Sequence, residues 1–143
     1  MYNYNYFMNS MFKNNDNNFE NSNMPSLFTP AVGYDNGNLF ANLYDQYKNY
    51  RPVNLRAGNE RDNLLLEISR NSFAAHELNL YLDLNPNDST MITLFNDYRE
   101  RADKLIKEYE AKYGPMTVSS DNLTESPFAW QNDIWPWEDN FYV

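Results

Sequence analysis

Cysteine is absent from the 143-residue chain, and histidine occurs once, as His76. Without cysteine there is no disulfide framework, no thiolate metal site and no cysteine nucleophile. A single histidine excludes a multi-histidine metal cage and leaves no credible Ser-His-Asp triad. Positive charge is also scarce. Eleven Lys and Arg stand against twenty Asp and Glu, a net charge of −9, which argues against binding phosphate backbones. The four glycines form no phosphate-cradling loop. No apolar run approaches the 18 or more residues of a membrane-spanning helix. Nor does a basic start precede an apolar stretch, so no secretory signal is expected. For that reason the triplets Asn87-Asp88-Ser89 and Asn122-Leu123-Thr124 are not expected to carry sugar.

Asparagine and aromatic rings take the place of what is missing: 24 Asn, 12 Tyr, 9 Phe and 3 Trp. Nine of the asparagines precede position 24, among Tyr2, Tyr4, Tyr6, Phe7 and Phe12, with no sustained period. Asn offers the backbone competing hydrogen bonds, so residues 1–29 read as a low-complexity tail. Two readings stay open for it, an adhesive aromatic arm or a dispensable product of biased composition.

Residues 30–52 read as a docking segment. Leu39, Phe40, Leu43, Tyr44 and Tyr47 fall at offsets that one face of a two- to three-turn helix would collect, which predicts a short helix over about 37–47. So short a helix is marginal alone and has to pack on something. Arg51-Pro52 closes the segment.

Residues 53–117 carry the strongest period. A helix is predicted over about 60–84, with Leu64, Ile68, Ala75, Leu78 and Leu82 as its main stripe. Leu65, Leu66, Phe73, Leu80 and Tyr81 widen the apolar surface well beyond one seam. Asn85-Pro86-Asn87-Asp88 breaks the pattern, with Asn85 expected to cap the next helix, Pro86 to open it and Asp88 to sit in its first turn. The second stripe is Met91, Phe95, Tyr98, Ala102, Leu105, Tyr109 and Tyr113, stopped by Gly114-Pro115. Asp97–Arg101, Glu100–Lys104, Asp103–Lys107 and Glu108–Lys112 are acid-then-base pairs four apart, each worth a few tenths of a kcal/mol to a solvated face. The short turn makes an antiparallel hairpin of helices about 37 Å long.

The expected fold class is all-α: this antiparallel hairpin, one short N-terminal helix, a disordered Asn-rich N-terminus and an extended aromatic C-terminal tail. Two helices meeting along one line leave apolar surface uncovered. The cover is either the segment around 37–47, the tail, a partner or a second copy. The tail, residues 118–143, holds all three tryptophans, Trp130, Trp135 and Trp137. Such side chains suit a strap folded back on the hairpin as well as an anchor for a partner. The search for chemistry comes back empty. His76 is followed by Glu77, but positions 73 and 79 are Phe and Asn, so the carboxylate–histidine spacing of di-metal bundles is missing. The expectation is a non-enzyme with no cofactor and no metal.

From about residue 60 to 138, LNLYLDLNPND (78–88), FNDY (95–98), YGPMT (113–117) and WQNDIWPWE (130–138) resemble the CotJB family of spore coat peptide assembly proteins. GNLFANLYDQYKNYRP (37–52) is similar to the short signature of the companion protein CotJA. The resemblance implies a structural and assembly role in the inner layers of the endospore coat, in a protein made in the mother-cell cytoplasm. It also implies a manganese-catalase-like coat protein as partner. On that reading the residues that meet the partner are Leu39, Phe40, Leu43 and Tyr44 of the docking segment, Leu66, Phe73 and Leu80 of the first helix, and Trp130, Trp135 and Trp137 of the tail. The alternative is a soluble adaptor that binds an enzyme and tunes it.

Overall fold

A computed structural model describes residues 25–124 and 126–132. The described residues form three helices and no strand: α1 (Pro30–Asn36), α2 (Glu60–Leu84) and α3 (Ser89–Tyr113). Two 3-10 turns follow, Asp121–Thr124 and Ala129–Asn132.

The hairpin lies where the period placed it. Asn59 caps α2, its side chain accepting from the Asp62 amide at 2.8 Å. Glu60 and Asp62 put carboxylates at the positive end of the helix. The turn is built differently from expectation. Asn85 closes α2, its backbone N–H donating to the Tyr81 carbonyl at 3.0 Å. Asp88 caps α3, its carboxylate accepting from the Met91 amide at 3.1 Å and from the Tyr81 hydroxyl at 3.1 Å. A carboxylate gripped from two sides outcompetes Asn85 as the cap, so α3 begins three residues later than Pro86 suggested. Burial and the Asp88 contact both push the Tyr81 phenol above its ordinary value.

Two apolar clusters line the seam. Leu64, Ile68 and Tyr109 fill the open end, flanked by Leu65, Leu105 and Met116. Ala74, Ala75, Leu78, Met91, Leu94 and Tyr98 fill the turn half, where the small alanines let the helices approach closely. The helix predicted over 37–47 does not form. The short N-terminal helix is α1, seven residues earlier, capped by Thr29 and opened by Pro30. Gly37 ends it at φ 72°, a conformation glycine adopts without strain. Beyond it the chain doubles back: the Phe28 N–H donates to the Leu39 carbonyl at 2.8 Å and the Ala41 N–H to the Ser26 carbonyl at 2.9 Å. Leu39 lies so close to Gly33 that a Cβ there would sit 3.2 Å from the Leu39 Cα.

Residues 25–41 thus make a closed clasp, and Leu27, Leu39 and Phe40 join the turn-half cluster. From Asn42 to Asn59 the chain is largely exposed and returns to the start of α2. No described helix is long and apolar enough to cross a membrane.

Candidate interaction surface

The clasp sits against α2, on a side other than the one α3 covers. Phe40 stacks on Tyr81 with ring centroids 5.3 Å apart. Tyr34 meets Phe73 edge-on at 5.8 Å. The Leu39 N–H donates to the Glu77 carboxylate at 3.3 Å. Leu39 is fully buried and Phe40 is 6% exposed, so within this chain both fill the groove flanking α2. Phe73 is half-buried beneath the clasp and Leu66 is half-buried on the same flank.

Other residues expected at a partner surface stay open to solvent. Leu43 is 67% exposed and Leu80 is 50% exposed. Tyr44 is half-buried, its ring edge-on to Phe28 at 6.0 Å. Trp130 is 39% exposed, with Phe128 exposed nearby in sequence. Trp135 and Trp137 lie outside the described residues. The exposed connection adds Tyr47, Tyr50, Val53 and Leu55. The molecule therefore covers part of the surplus predicted for α2 and leaves Leu80, with Leu43 just past the clasp, uncovered.

At the open end, polar contacts lock the two helix ends together. The Arg61 Nε donates to the Tyr109 hydroxyl at 2.9 Å. Lys112 bridges Glu60 at 2.7 Å and Glu108 at 2.8 Å. The hydrogen bonds to Glu108 and Glu60 hold its ammonium protonated beyond the usual lysine range. Glu110 ties the following loop, accepting from the Ser120 hydroxyl and from the Met116 amide.

Between the two clusters lies Asn71, 7% exposed and the one polar residue of the core among the described residues. It borders a cleft of about 500 Å3 between the clasp and both long helices, lined among others by Arg70, Arg101, Lys104 and Leu105. Sequence reasoning missed this cleft, and the signal for it was Asn71 interrupting the stripe of Leu64, Ile68, Ala75 and Leu78. It missed Leu27 as well, because only the chain reversal beyond Gly37 brings that residue inward. His76 is exposed. Among the described residues no three His, Asp or Glu side chains gather closely enough to hold a metal ion.

A family model described as CotJB protein matches residues 62–138, more than half of the chain. The CotJA-like likeness at 37–52 lies outside that stretch and gains no support from it. No curated protein and no solved structure matches the chain. The matched residues run from the first turn of α2 through the whole of α3 and on to Glu138, so the match takes in nearly all of the hairpin, and the chain belongs to the CotJB family of spore coat proteins.

Proposed function

We propose that this protein is a non-enzymatic assembly component of the endospore coat whose hairpin is a docking platform for another coat protein. The observation that carries the reading is the apolar fringe of Leu43 and Leu80 beside the clasp, left exposed in a chain of the CotJB family. Exposed aliphatic side chains of this kind, with Tyr44 and Tyr47 close by in the chain, are the material of interaction hot spots. The partner we favour is a manganese-catalase-like protein of the inner coat. In the same reading residues 37–52 act as a CotJA-like element, and the seating of Leu39 and Phe40 against α2 is a contact between two coat-protein signatures made within one chain.

The test is co-purification from sporulating cells. Replacing Leu43 and Leu80 together by Ser is expected to abolish recovery of the partner while the helical signal is unchanged. Truncation after Ser126 asks the same of Trp130, Trp135 and Trp137. Recovery at the level of the unaltered chain in both cases removes the docking surface. A coat component stays with the insoluble spore fraction through salt and mild detergent. A chain that washes out is the adaptor instead.

A further inference from the structure

We propose that the clasp is an exchangeable connector: in a densely packed layer it leaves its own α2 and seats on the α2 of a second copy. The dense layer is the setting that the coat reading supplies, and to that extent the inference rests on it.

The clasp is built to move as a unit. The Phe28 and Ala41 amides donate to the Leu39 and Ser26 carbonyls, and the Thr29 hydroxyl accepts from the Val32 amide at 3.3 Å. These bonds all lie within residues 25–41, so none is broken when the clasp changes seat. Its hold on the hairpin is different in kind. Tyr34 meets Phe73, Phe40 stacks on Tyr81, and the Leu39 N–H donates to the Glu77 carboxylate. Among the described residues no backbone-to-backbone hydrogen bond joins the clasp to α2 or α3.

The link from the clasp to α2, residues 42–59, contains no helix or strand, and positions 45–51 and 53–56 are exposed throughout. So long an irregular stretch is uncommon inside a compact fold and is a usual form of linker. From Glu60 to Tyr81 α2 rises about 30 Å. The link can extend to about 60 Å. It is thus about twice as long as seating on its own α2 demands, and the excess lets the clasp reach a neighbouring chain.

A second copy is the partner that fits, because it presents the same Phe73, Glu77 and Tyr81 to the same clasp. The contacts are then equal in either seat, and concentration decides between them. A flexible tether of this length holds the clasp over its own groove at an effective concentration of about a millimolar. Chains of 17.0 kDa packed at the density of protein reach on the order of tens of millimolar. In dilute solution the clasp therefore closes on its own hairpin. In a close-packed layer of this chain the neighbour's groove is favoured by about tenfold, and the contact that closes one molecule becomes the joint between two.

Complementation between two full-length variants tests the exchange. Phe40→Ala removes the clasp's anchor and keeps the groove. Phe73→Asp puts a carboxylate under the clasp, one turn from Glu77, and keeps the clasp. Far-UV circular dichroism checks that the helices persist in both. Phe73→Asp is labelled with 15N, and hydrogen exchange is read at its Phe28, Leu39 and Ala41 amides. An equal amount of unlabelled Phe40→Ala, at about 1 mM, is expected to slow all three at least tenfold. The double variant Phe40→Ala/Phe73→Asp should leave them unchanged. No slowing overturns the proposal, and so does equal slowing by the double variant. A second readout keeps the contact intact: a copy with a nitroxide on His76→Cys, an exposed position, is mixed with a 15N-labelled copy of the unaltered sequence. The labelled Leu39 and Ala41 amides should broaden at about 1 mM, and the effect should fall about tenfold on twentyfold dilution. No broadening at the higher concentration refutes the exchange, as does broadening that dilution leaves unchanged. Both measurements use the purified chain, so their failure removes the exchange alone, whereas the coat reading stands or falls on the spore fraction.

Discussion

The clasp predicts a sharp asymmetry between two residues three positions apart. Phe40 is buried and stacked on Tyr81 at 5.3 Å, whereas Leu43 is 67% exposed. Truncating a buried Phe to Ala costs about 3–5 kcal/mol through lost transfer energy and the cavity left behind. The stacked pair adds about 0.5–1.5 kcal/mol to what is lost. Part of this is recovered because the clasp is a surface element and can settle into the vacancy, so about 3 kcal/mol is the working figure. Since each 1.4 kcal/mol is a factor of ten, Phe40→Ala should raise the opening equilibrium of the clasp by roughly a hundredfold or more. Leu43→Ala should change it by less than about 0.5 kcal/mol. The assay is native-state hydrogen exchange at the Phe28, Leu39 and Ala41 amides, whose acceptors are the Leu39 carbonyl, Glu77 and the Ser26 carbonyl. Amides in the middle of α2 and α3 serve as the internal reference. Protection lost equally in the two variants would refute the assignment of Phe40 as the clasp's anchor.

Asp88→Ala should destabilise the fold by about 1–2 kcal/mol in chemical denaturation, because one side chain caps α3 and also holds the Tyr81 hydroxyl; Asp88→Asn should keep most of the capping share. The raised Tyr81 phenol stabilises the fold fully below the ordinary tyrosine value near pH 10, and that contribution is lost as pH climbs through the folded value. Tyr81→Phe should therefore flatten the alkaline fall in a pH series of melting temperatures, and an unchanged fall would show that the phenol is not responsible. Asn71→Leu should raise the midpoint of thermal unfolding by joining the two apolar clusters, and a lower midpoint would mean that Asn71 is needed for packing rather than for the cleft.

The hairpin was legible because its signals are local and repeated. Seven apolar residues at three- and four-residue steps define α3, and Asn59, Gly114 and Pro115 mark ends that the backbone then uses. The clasp was not legible from the same kind of pattern. Leu39, Phe40, Leu43, Tyr44 and Tyr47 share helical offsets, yet Leu39 and Phe40 are an extended pair facing the hairpin, and what fixes them is the distant pairing with Ser26 and Phe28. Gly37 and the Thr29-Pro30 start carried the better information, since a capped proline and a left-handed glycine bracket α1 more tightly than any stripe does. The turn shows the same lesson on a smaller scale: Asn85 and Asp88 are both good caps, and Tyr81, one turn before Asn85, decides between them. The cleft needed a third kind of knowledge, namely which face of α2 meets which residues of α3 and of the clasp.

That α2 has no single apolar face follows from how many neighbours it serves. Leu64, Ile68, Ala75 and Leu78 look to α3, while Phe73 and Tyr81 look to the clasp. A helix with apolar residues on more than one face needs more than one neighbour, and among the described residues those neighbours are α3 and the clasp with its seven-residue helix. The clasp covers the turn half and stops at the waist, where the core changes from Leu and Ala to Asn71. Leu80 of α2 remains exposed, as does Leu43, two residues past the clasp. On the proposed docking reading, an occupant that covers Leu43 and Leu80 would meet a hairpin already held in place by its own clasp, and preorganisation of that kind lowers the ordering cost of binding.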